Sequence, residues 1–364
     1  MNITRRKIFK KLLEKDQVFL KLLENQESPL EFMKELHSLY KENLITLSAN
    51  KYFTITEKGK RYANTLRFLP GKVRCELCQG KGIDTTEYQC ILTKFKEIVK
   101  DRPLPVNEYD QGPVTPEDSL RRVLFMLERG DLQDKRILIL GDDDLISIVI
   151  AMMKVTERIT VVEIDQRLIE FIEASGLNIE ITHYNAEETL TLPIKYSTFI
   201  TDPVETIEGW KLFLSRGISC LDKCGTVYFA LTSLRSSREK WYEFQRLISE
   251  MGLIITDMLR DFSTYPMETN ILKSKLENGE HFMPKKMTSF LEEFLFSQED
   301  NYEDSKWYTS TFVRAEAINE PRPLIIGNYK LGNIMYKDNE GVEIESCFKK
   351  LFFEIYKDLQ SEKQ

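Results

Sequence analysis

Three short acidic runs carry the chemistry to be expected of this chain of 364 residues. They are Gly141-Asp142-Asp143-Asp144, Glu163-Ile164-Asp165 and Thr201-Asp202-Pro203, with Glu205 close behind the last. Each follows a stretch that reads as a buried β-strand. An open α/β sheet binds its ligands beyond the carboxyl ends of such strands. Carboxylates gathered in one crevice repel one another unless paired or partly protonated, a cost that a purely structural turn has no reason to bear. A pyrophosphate-binding turn would offer Gly-x-Gly-x-x-Gly, whereas here one glycine precedes three aspartates. At ~4 Å and an effective dielectric of ~20, each carboxylate–phosphate pair would cost about 4 kcal/mol. Phosphorylated ligands are thereby excluded and cationic ones favoured. A sulfonium nucleoside fits these terms: it is positive, has no phosphate, and its ribose wants an acid at the end of the second strand, where Glu163 stands. Asp is also a good helix N-cap, so one of the three aspartates can serve that purpose; three exceed it. Asp202-Pro203 reads either as an acid facing the reacting atoms or as the cap and first residue of the next helix.

The elements that must position these acids follow from hydrophobic periodicity. RILIL (136–140) is a continuous apolar strand, and ITVVEID (159–165), LNIEITHY (177–184), STFITD (197–202), CGTVYFALT (224–232) and LIITDML (253–259) add five more. Helical stretches lie between several of them: DLISIVIAMMK after the first, QRLIEFIEAS after the second, SSREKWYEFQRLISEM after the fifth, and SLRRVLFMLERGDL before the first. Strands alternating with helices imply a parallel sheet covered on both faces. WYTSTFVRAEA (307–317) is a further strand, and residues beyond 324 suggest a small hairpin and an amphipathic helix. Residues 101–117 contain four prolines and form a long loop, a kind of segment usually tied to function.

At the other end, residues 5–24 read as one helix, 29–42 as a second, 44–56 as two short strands, and TEKGKRYANTL as a third helix. That order resembles a winged helix. Its second helix carries Glu31, Glu35 and Glu42 against Lys34 and Lys41, which is poorly suited to reading DNA. A structural or dimerisation module is the favoured reading. RCELCQGKG (74–82) holds Cys75 and Cys78. A structural zinc needs four ligands; with Cys90 as a candidate third, the pair is either half of a site completed elsewhere or across a dimer, or, the favoured reading, a glycine-rich turn with incidental thiols. The boundaries expected are a winged-helix-like domain at 1–68, a linker and substrate-contacting loop at 69–117, a catalytic domain at 118–265, and an extension at 266–364 that completes the sheet and covers the site.

Composition agrees. Hydrophobic residues make up 42%, aromatic residues 11%, and net charge is −7, a globular balance that gives no surface built throughout for nucleic acid. Residues 1–70 carry +6 and the remainder −13. No stretch approaches the ~18–20 apolar residues of a membrane span. No signal-peptide core is visible, and six cysteines in a chain of this length make no disulfide framework, so a reducing cytoplasm is expected.

VVEID (161–165) resembles the ribose-binding strand tip of enzymes with the class I methyltransferase fold, spermidine synthases above all. More specifically, EYDQGPVTPEDSLRRVLFMLERGDLQDKRILILGDDDLISI (108–148), with VVEID and FITDPVET (199–206), resembles the branched-chain polyamine synthases of archaea and thermophilic bacteria. The resemblance extends from about residue 1 to 265 and is most specific at 108–148. It implies a Rossmann-like α/β fold and transfer of aminopropyl groups from decarboxylated S-adenosylmethionine to the N4 amine of spermidine. The products would be N4-aminopropylspermidine, then N4-bis(aminopropyl)spermidine, with methylthioadenosine released each time. It implies no prosthetic group, a polyamine partner without nucleic acid or membrane, and a homodimer. Asp143 is then the carboxylate acting at the attacking amine, with Asp142 beside it and Asp202 as the other candidate base. Gly141, Asp144, Glu163, Asp165, Asn185, Ala186 and Gln111 would hold the donor, with Asn185 standing where related families carry an Asp at the adenine edge. Tyr109, Asp110, Glu205, Asp257, Asp261 and Tyr265 would line the acceptor channel. The competing readings are an S-adenosylmethionine-dependent methyltransferase and a winged-helix regulator that senses a nucleoside or polyamine.

Overall fold

The computed structural model describes residues 3–23, 29–48, 50–66, 80–232, 236–266 and 306–336, together with Gln26, Cys75, Cys78, Lys350 and Phe353. The chain divides into two compact units, one of residues 1–73, 266–308 and 339–364 and the other of 74–265 and 309–338.

In the first unit, α1 (Ile3–Glu14), α2 (Phe19–Leu23) and α3 (Pro29–Lys41) precede a hairpin of β1 (Ile45–Leu47) and β2 (Phe53–Ile55), and α4 (Glu57–Ala63) follows. The single helix expected over 5–24 is two. At the break, Gln17 leaves the helix and exchanges backbone hydrogen bonds with Phe53, 3.1 and 2.8 Å, adding a bridge to the hairpin. The acids that make α3 a poor DNA reader have an internal use. Arg5 of α1 donates to Glu35 at 2.8 Å and to Glu42 at 2.7 Å.

The second unit is built on a seven-stranded sheet. Its strands are β3 (Arg136–Leu140), β4 (Arg158–Glu163), β5 (Glu180–His183), β6 (Tyr196–Thr201), β7 (Leu221–Thr232), β8 (Leu253–Pro266) and β9 (Lys306–Ala317). Their order is β5-β4-β3-β6-β7-β9-β8. The first five run parallel, and β9 inserts antiparallel against β7. The helices are α5 (Gln89–Val99), α6 (Pro116–Glu128), α7 (Ile146–Met153), α8 (Gln166–Ala174), α9 (Ile207–Ser219) and α10 (Arg238–Glu250). The sequence pattern did not single out α5 or α9.

Successive strand residues point to opposite faces, and both faces here are buried. Ile137, Ile139, Ile159 and Val161 pack under α5 to α8, with Leu120, Val123, Leu168 and Ile172 among their partners. Leu138, Leu140, Phe199, Val227 and Phe229 pack on the other side with Trp210, Leu214 and Phe244 of α9 and α10. The chain crosses from one face to the other between β3 and β6, which makes the gap between them the switch point of the sheet. Register then fixes what meets there: Leu140 lies opposite Val162 on one side and Thr201 on the other. The residues that follow each of these are the three acidic runs. Among the described residues, no helix is long and apolar enough to cross a membrane.

Close packing of α9 on β6 depends on Gly217, where an added Cβ would lie 2.0 Å from the ring of Phe199. Gly217→Ala should therefore destabilise the protein by ~1–3 kcal/mol through overpacking and lower the thermal midpoint by several degrees, read by circular dichroism. An unchanged midpoint would show that this helix–strand contact can yield.

Candidate active site

Gly141 turns the chain at the end of β3 with φ +72°, a left-handed conformation natural to glycine. Its amide donates to Val162 at 3.0 Å, and the amide of Asp142 donates to Oε2 of Glu163 at 2.8 Å, so the first two strand tips are stitched together. Oε1 of Glu163 accepts from the amides of Ile164 and Asp165 at 2.8 and 2.9 Å. Three backbone donors thus aim one buried carboxylate, and Oε2 retains capacity for a further donor.

The three aspartates separate into different surroundings. Asp142 is buried, and both its oxygens face the amide of Ser147 in the first turn of α7, at 3.3 and 3.4 Å. This is the helix-capping use that the sequence left open for one of them. Asp144 is also buried and is held from three directions. The Val114 amide reaches Oδ1 at 2.6 Å, the Arg122 guanidinium reaches Oδ2 at 2.5 Å, and Ser119 donates to its carbonyl. Asp143 keeps partial solvent access and accepts from the Gly112 amide at 2.9 Å. No cation among the described residues pairs with it.

Arg122, on α6, is the organiser that the sequence reading missed. It is 2% exposed, donates to Asp144 and at 3.1 Å to Asp202, and also bonds Ser263 at 2.8 Å and the Tyr265 hydroxyl at 3.3 Å. Its guanidinium lies 5.2 Å from the ring centroid of Phe312. Tyr265 in turn donates to Asp202 at 2.7 Å. In sequence, Arg121-Arg122 looks like an exposed basic pair. The signal that was available is its place beside Leu120, Val123 and Leu124, on the turn that α6 buries.

The proline-rich loop is fastened over this crevice. Gly112 and Val114 donate to Asp143 and Asp144, and Gln111 accepts from Val106 and donates to Asp165, each at 2.9 Å. Asp165 caps α8 and binds the Arg167 side chain as well. Its role in the structure is thus to anchor the loop and the helix. Tyr109 ends a short helical turn, and Asp110 follows it with φ +55°. Near β5, Oδ1 of Asn185 accepts from the Glu187 amide and the Ala186 carbonyl accepts from Arg216.

Two of the acids expected along an acceptor channel are engaged elsewhere. Glu205 is buried with its carboxylate on the amide and hydroxyl of Thr232 and on Ser236, which ties the start of α9 to the end of β7. Asp257 pairs with Arg129 at the far end of α6. It precedes Tyr265 by eight residues along β8, roughly 26 Å at ~3.3 Å per residue, so it stands remote from the strand tips. Placing it in the channel is therefore corrected: the length of β8 separates the two. Asp261 accepts from Thr309 at the start of β9. Of the extension, Pro266 and residues 306–336 are described, and Leu331, Gly332, Met335 and Asn328 bond Glu187, Thr206 and Thr189. The expected cover from 267–305 and the C-terminal helix beyond 336 lie largely outside the described residues.

Burial raises these carboxyls. Desolvation, reinforced by neighbouring acids, pushes Asp142 and Asp143 well above the usual carboxylate range. For Asp144 desolvation outweighs the Arg122 charge, and its pKa is pushed up to about 6. Glu163 is raised by burial despite its three amide donors. For Asp165 burial is outweighed by Arg167 and Gln111, which hold it below its ordinary value.

A switch-point crevice with acidic strand tips and no phosphate loop is the arrangement of a transferase with the class I methyltransferase fold. Comparison narrows the class. Residues 90–343 match the family described as branched-chain polyamine synthase A, C-terminal domain. An N(4)-bis(aminopropyl)spermidine synthase of Methanocaldococcus jannaschii is 41% identical over 263 residues, which cover 68% of this chain and 73% of that one. The enzyme of the same name from Thermococcus kodakarensis is 37% identical over 256 residues, 67% of this chain and 73% of its own. The crystal structure of the branched-chain polyamine synthase from Thermus thermophilus, with N4-aminopropylspermidine and 5'-methylthioadenosine bound, aligns over 93% of this chain and 92% of its own. It does so at 26% identity with a TM-score of 0.72. The chain belongs to the branched-chain polyamine synthase family.

Raised carboxyls bind protons in the folded state that the unfolded chain has already released. Their ionisation therefore weakens the ligand-free fold as pH rises, Asp144 contributing as pH passes about 6. A polycation repairs that loss only once the acids are charged. Spermidine, whose own charge is nearly constant below pH ~8, should raise the thermal midpoint more at pH 7.5 than at pH 5. An increment that does not grow between those values would contradict the assigned titration.

Proposed function

We propose that this protein is an aminopropyltransferase that uses decarboxylated S-adenosylmethionine to alkylate N4 of spermidine, first to N4-aminopropylspermidine and then to N4-bis(aminopropyl)spermidine. The observation that carries the reading is the charge balance of the crevice. Asp143 faces it without a cation, while Arg122 is shared by the two neighbouring acids, Asp144 and Asp202. Both substrates bring the missing positive charge, and neither brings a phosphate.

In each round the neutral N4 attacks the propyl carbon next to the sulfonium. The new C–N bond forms as the C–S bond breaks, and its electron pair goes to sulfur to give methylthioadenosine. A free aliphatic amine has a pKa near ~10, so N4 arrives protonated and must give up that proton before attack. Asp143 takes it and passes it to solvent, to which it has partial access, so that an ionised carboxylate faces the positive charge that develops on nitrogen. The two rounds differ at their ends. The first product is a tertiary amine, whereas the second is a quaternary ammonium with no proton to lose, so there the carboxylate acts as a counter-ion only. Glu163 holds the ribose hydroxyls through the free capacity of Oε2, Asn185 and Ala186 meet the adenine edge, and Gly141 lets the backbone approach. Asp142 and Asp144 act through the turn that they hold, one as a cap and one on Arg122. Tyr109 and Asp110 form the loop side of the acceptor path, with Asp261 of β8 beside it and Asp202 and Tyr265 at its inner end, while Gln111 of the same loop faces the donor. Positioning of this kind supplies much of the rate. The reaction needs no nucleic acid, membrane or prosthetic group, and we place it in the cytoplasm.

Purified protein given decarboxylated S-adenosylmethionine and spermidine should release methylthioadenosine, with both branched products seen by mass spectrometry. Asp143→Asn should lower turnover more than tenfold with the fold intact by circular dichroism. Near-normal turnover in that variant together with collapse in Asp202→Asn would transfer the base to Asp202, and no product from the wild-type protein would defeat the reading.

A further inference from the structure

Asp118 lies in the first turn of α6, where an acid ordinarily serves the helix itself. Here the side chain is fully buried and reaches beyond its helix. Oδ1 accepts from Arg121 at 2.6 Å, while Oδ2 accepts from the backbone amide of Thr264 at 2.7 Å and from the Lys81 ammonium. Lys81, whose side chain is 7% exposed, also donates to the Thr264 hydroxyl at 3.0 Å. The Thr115 amide, at the cap of α6, donates to the Thr264 carbonyl at 2.9 Å. Both backbone groups and the hydroxyl of Thr264 are therefore held by α6, by its cap, or by the ammonium that Asp118 pairs with. Burial alone would raise Asp118, but the charges of Lys81 and Arg121 outweigh it and keep the carboxyl below its ordinary value, hence ionised at neutral pH.

The neighbours of Thr264 are the residues that touch the site. Ser263 accepts from Arg122, and Tyr265 accepts from Arg122 and donates to Asp202. Asp118 and Arg122 stand four apart on one face of α6, so their grips alternate along residues 263, 264 and 265. Among the described strands β8 ends the sheet, with a neighbour on one side only, and Asp261, at φ +54°, interrupts its extended run just before this segment. Pairing within the sheet thus leaves residues 263–265 to be fixed from α6. Arg122 fixes them loosely, because a guanidinium with five donors can follow its acceptors. A backbone amide held by a buried carboxylate has no such freedom. We propose that Asp118 is a positioning residue for the transfer: by holding the backbone of Thr264 it keeps Ser263 and Tyr265 where they fix Arg122 and Asp202 at the inner end of the acceptor path. The inference rests on the aminopropyl reading for its kinetic readout, and a variant structure tests it without that reading.

Asp118→Ala should lower turnover with spermidine at least about tenfold, since small displacements at a reacting centre are costly. Affinity for the donor, which sits at the tips of β3 and β4, should stay near the wild-type value by calorimetry. Asp118→Asn keeps an acceptor for the Thr264 amide and should recover most of the turnover. The crystal structure of Asp118→Ala should show the Tyr265 hydroxyl moved off Asp202. Should that variant fold poorly, Lys81→Met carries the same test with a smaller loss, because Asp118 retains Arg121 there. Wild-type turnover in folded Asp118→Ala or Lys81→Met would overturn the proposal, as would a Tyr265–Asp202 contact unchanged in the variant structure. So would Asp118→Asn no better than Asp118→Ala, or donor affinity that falls in step with turnover, the mark of a general loss of structure. Wild-type protein that makes no product would defeat the aminopropyl reading instead, and the position of Tyr265 in the variant structure would still decide the role of Asp118.

Discussion

Arg122 serves two carboxylates from a buried position, and the rest of the site follows from that shortage of positive charge. A buried guanidinium is tolerable only with well-placed acceptors, and removing one partner of such a pair leaves an uncompensated charge at a cost of about 3–5 kcal/mol. Asp144, Asp202, Ser263 and Tyr265 come from β8 and from the tips of β3 and β6 to meet it. The guanidinium is therefore what holds these three elements in register with α6. One cation for two acids, with Asp143 and Glu163 close by, leaves the crevice short of positive charge as these acids ionise. The structure keeps its acids ready for ligands that bring the balancing charge.

This arrangement also sorts residues that composition treats alike. Asp142, Asp143 and Asp144 are consecutive, yet one caps a helix, one binds an arginine and one faces the opening. The loop of residues 101–115 adds to the sorting, because its Gly112 and Val114 amides settle on Asp143 and Asp144 while Gln111 reaches Asp165. A segment rich in proline has few backbone donors, and two of those it retains, Gly112 and Val114, are used on the strand-tip acids. Sequence segments from opposite sides of β3 are in this way made into one wall.

Much of the catalytic fold was legible in the sequence because buried parallel strands are continuous apolar runs. RILIL and ITVVE announce themselves without any knowledge of partners, and their tips follow from the topology. What was not legible depends on contacts distant in sequence. The helix expected over 5–24 breaks because Gln17 pairs with Phe53, 36 positions away. Helix α9 was not delimited from the pattern, and its Gly217 is needed only because the ring of Phe199, 18 positions earlier, packs against it. Arg122 carries no signal of its own, because only the packing of α6 in the folded chain buries it. Asp257 looked like a channel acid until the length of β8 placed it beside Arg129 instead. The acids stand at the strand ends where the pattern put them, whereas the side chain that balances them was not singled out.

The central claim is that an unneutralised acidic tip selects a donor without a carboxylate. Calorimetric titration of the protein with decarboxylated S-adenosylmethionine and, separately, with S-adenosylmethionine tests it most directly. The decarboxylated donor should bind at least about tenfold more tightly, a difference of 1.4 kcal/mol or more, because the extra carboxylate of the other would face acids that no cation screens. Equal affinity, or preference for the carboxylated donor, would contradict the account and return the protein to the methyltransferases whose fold it shares.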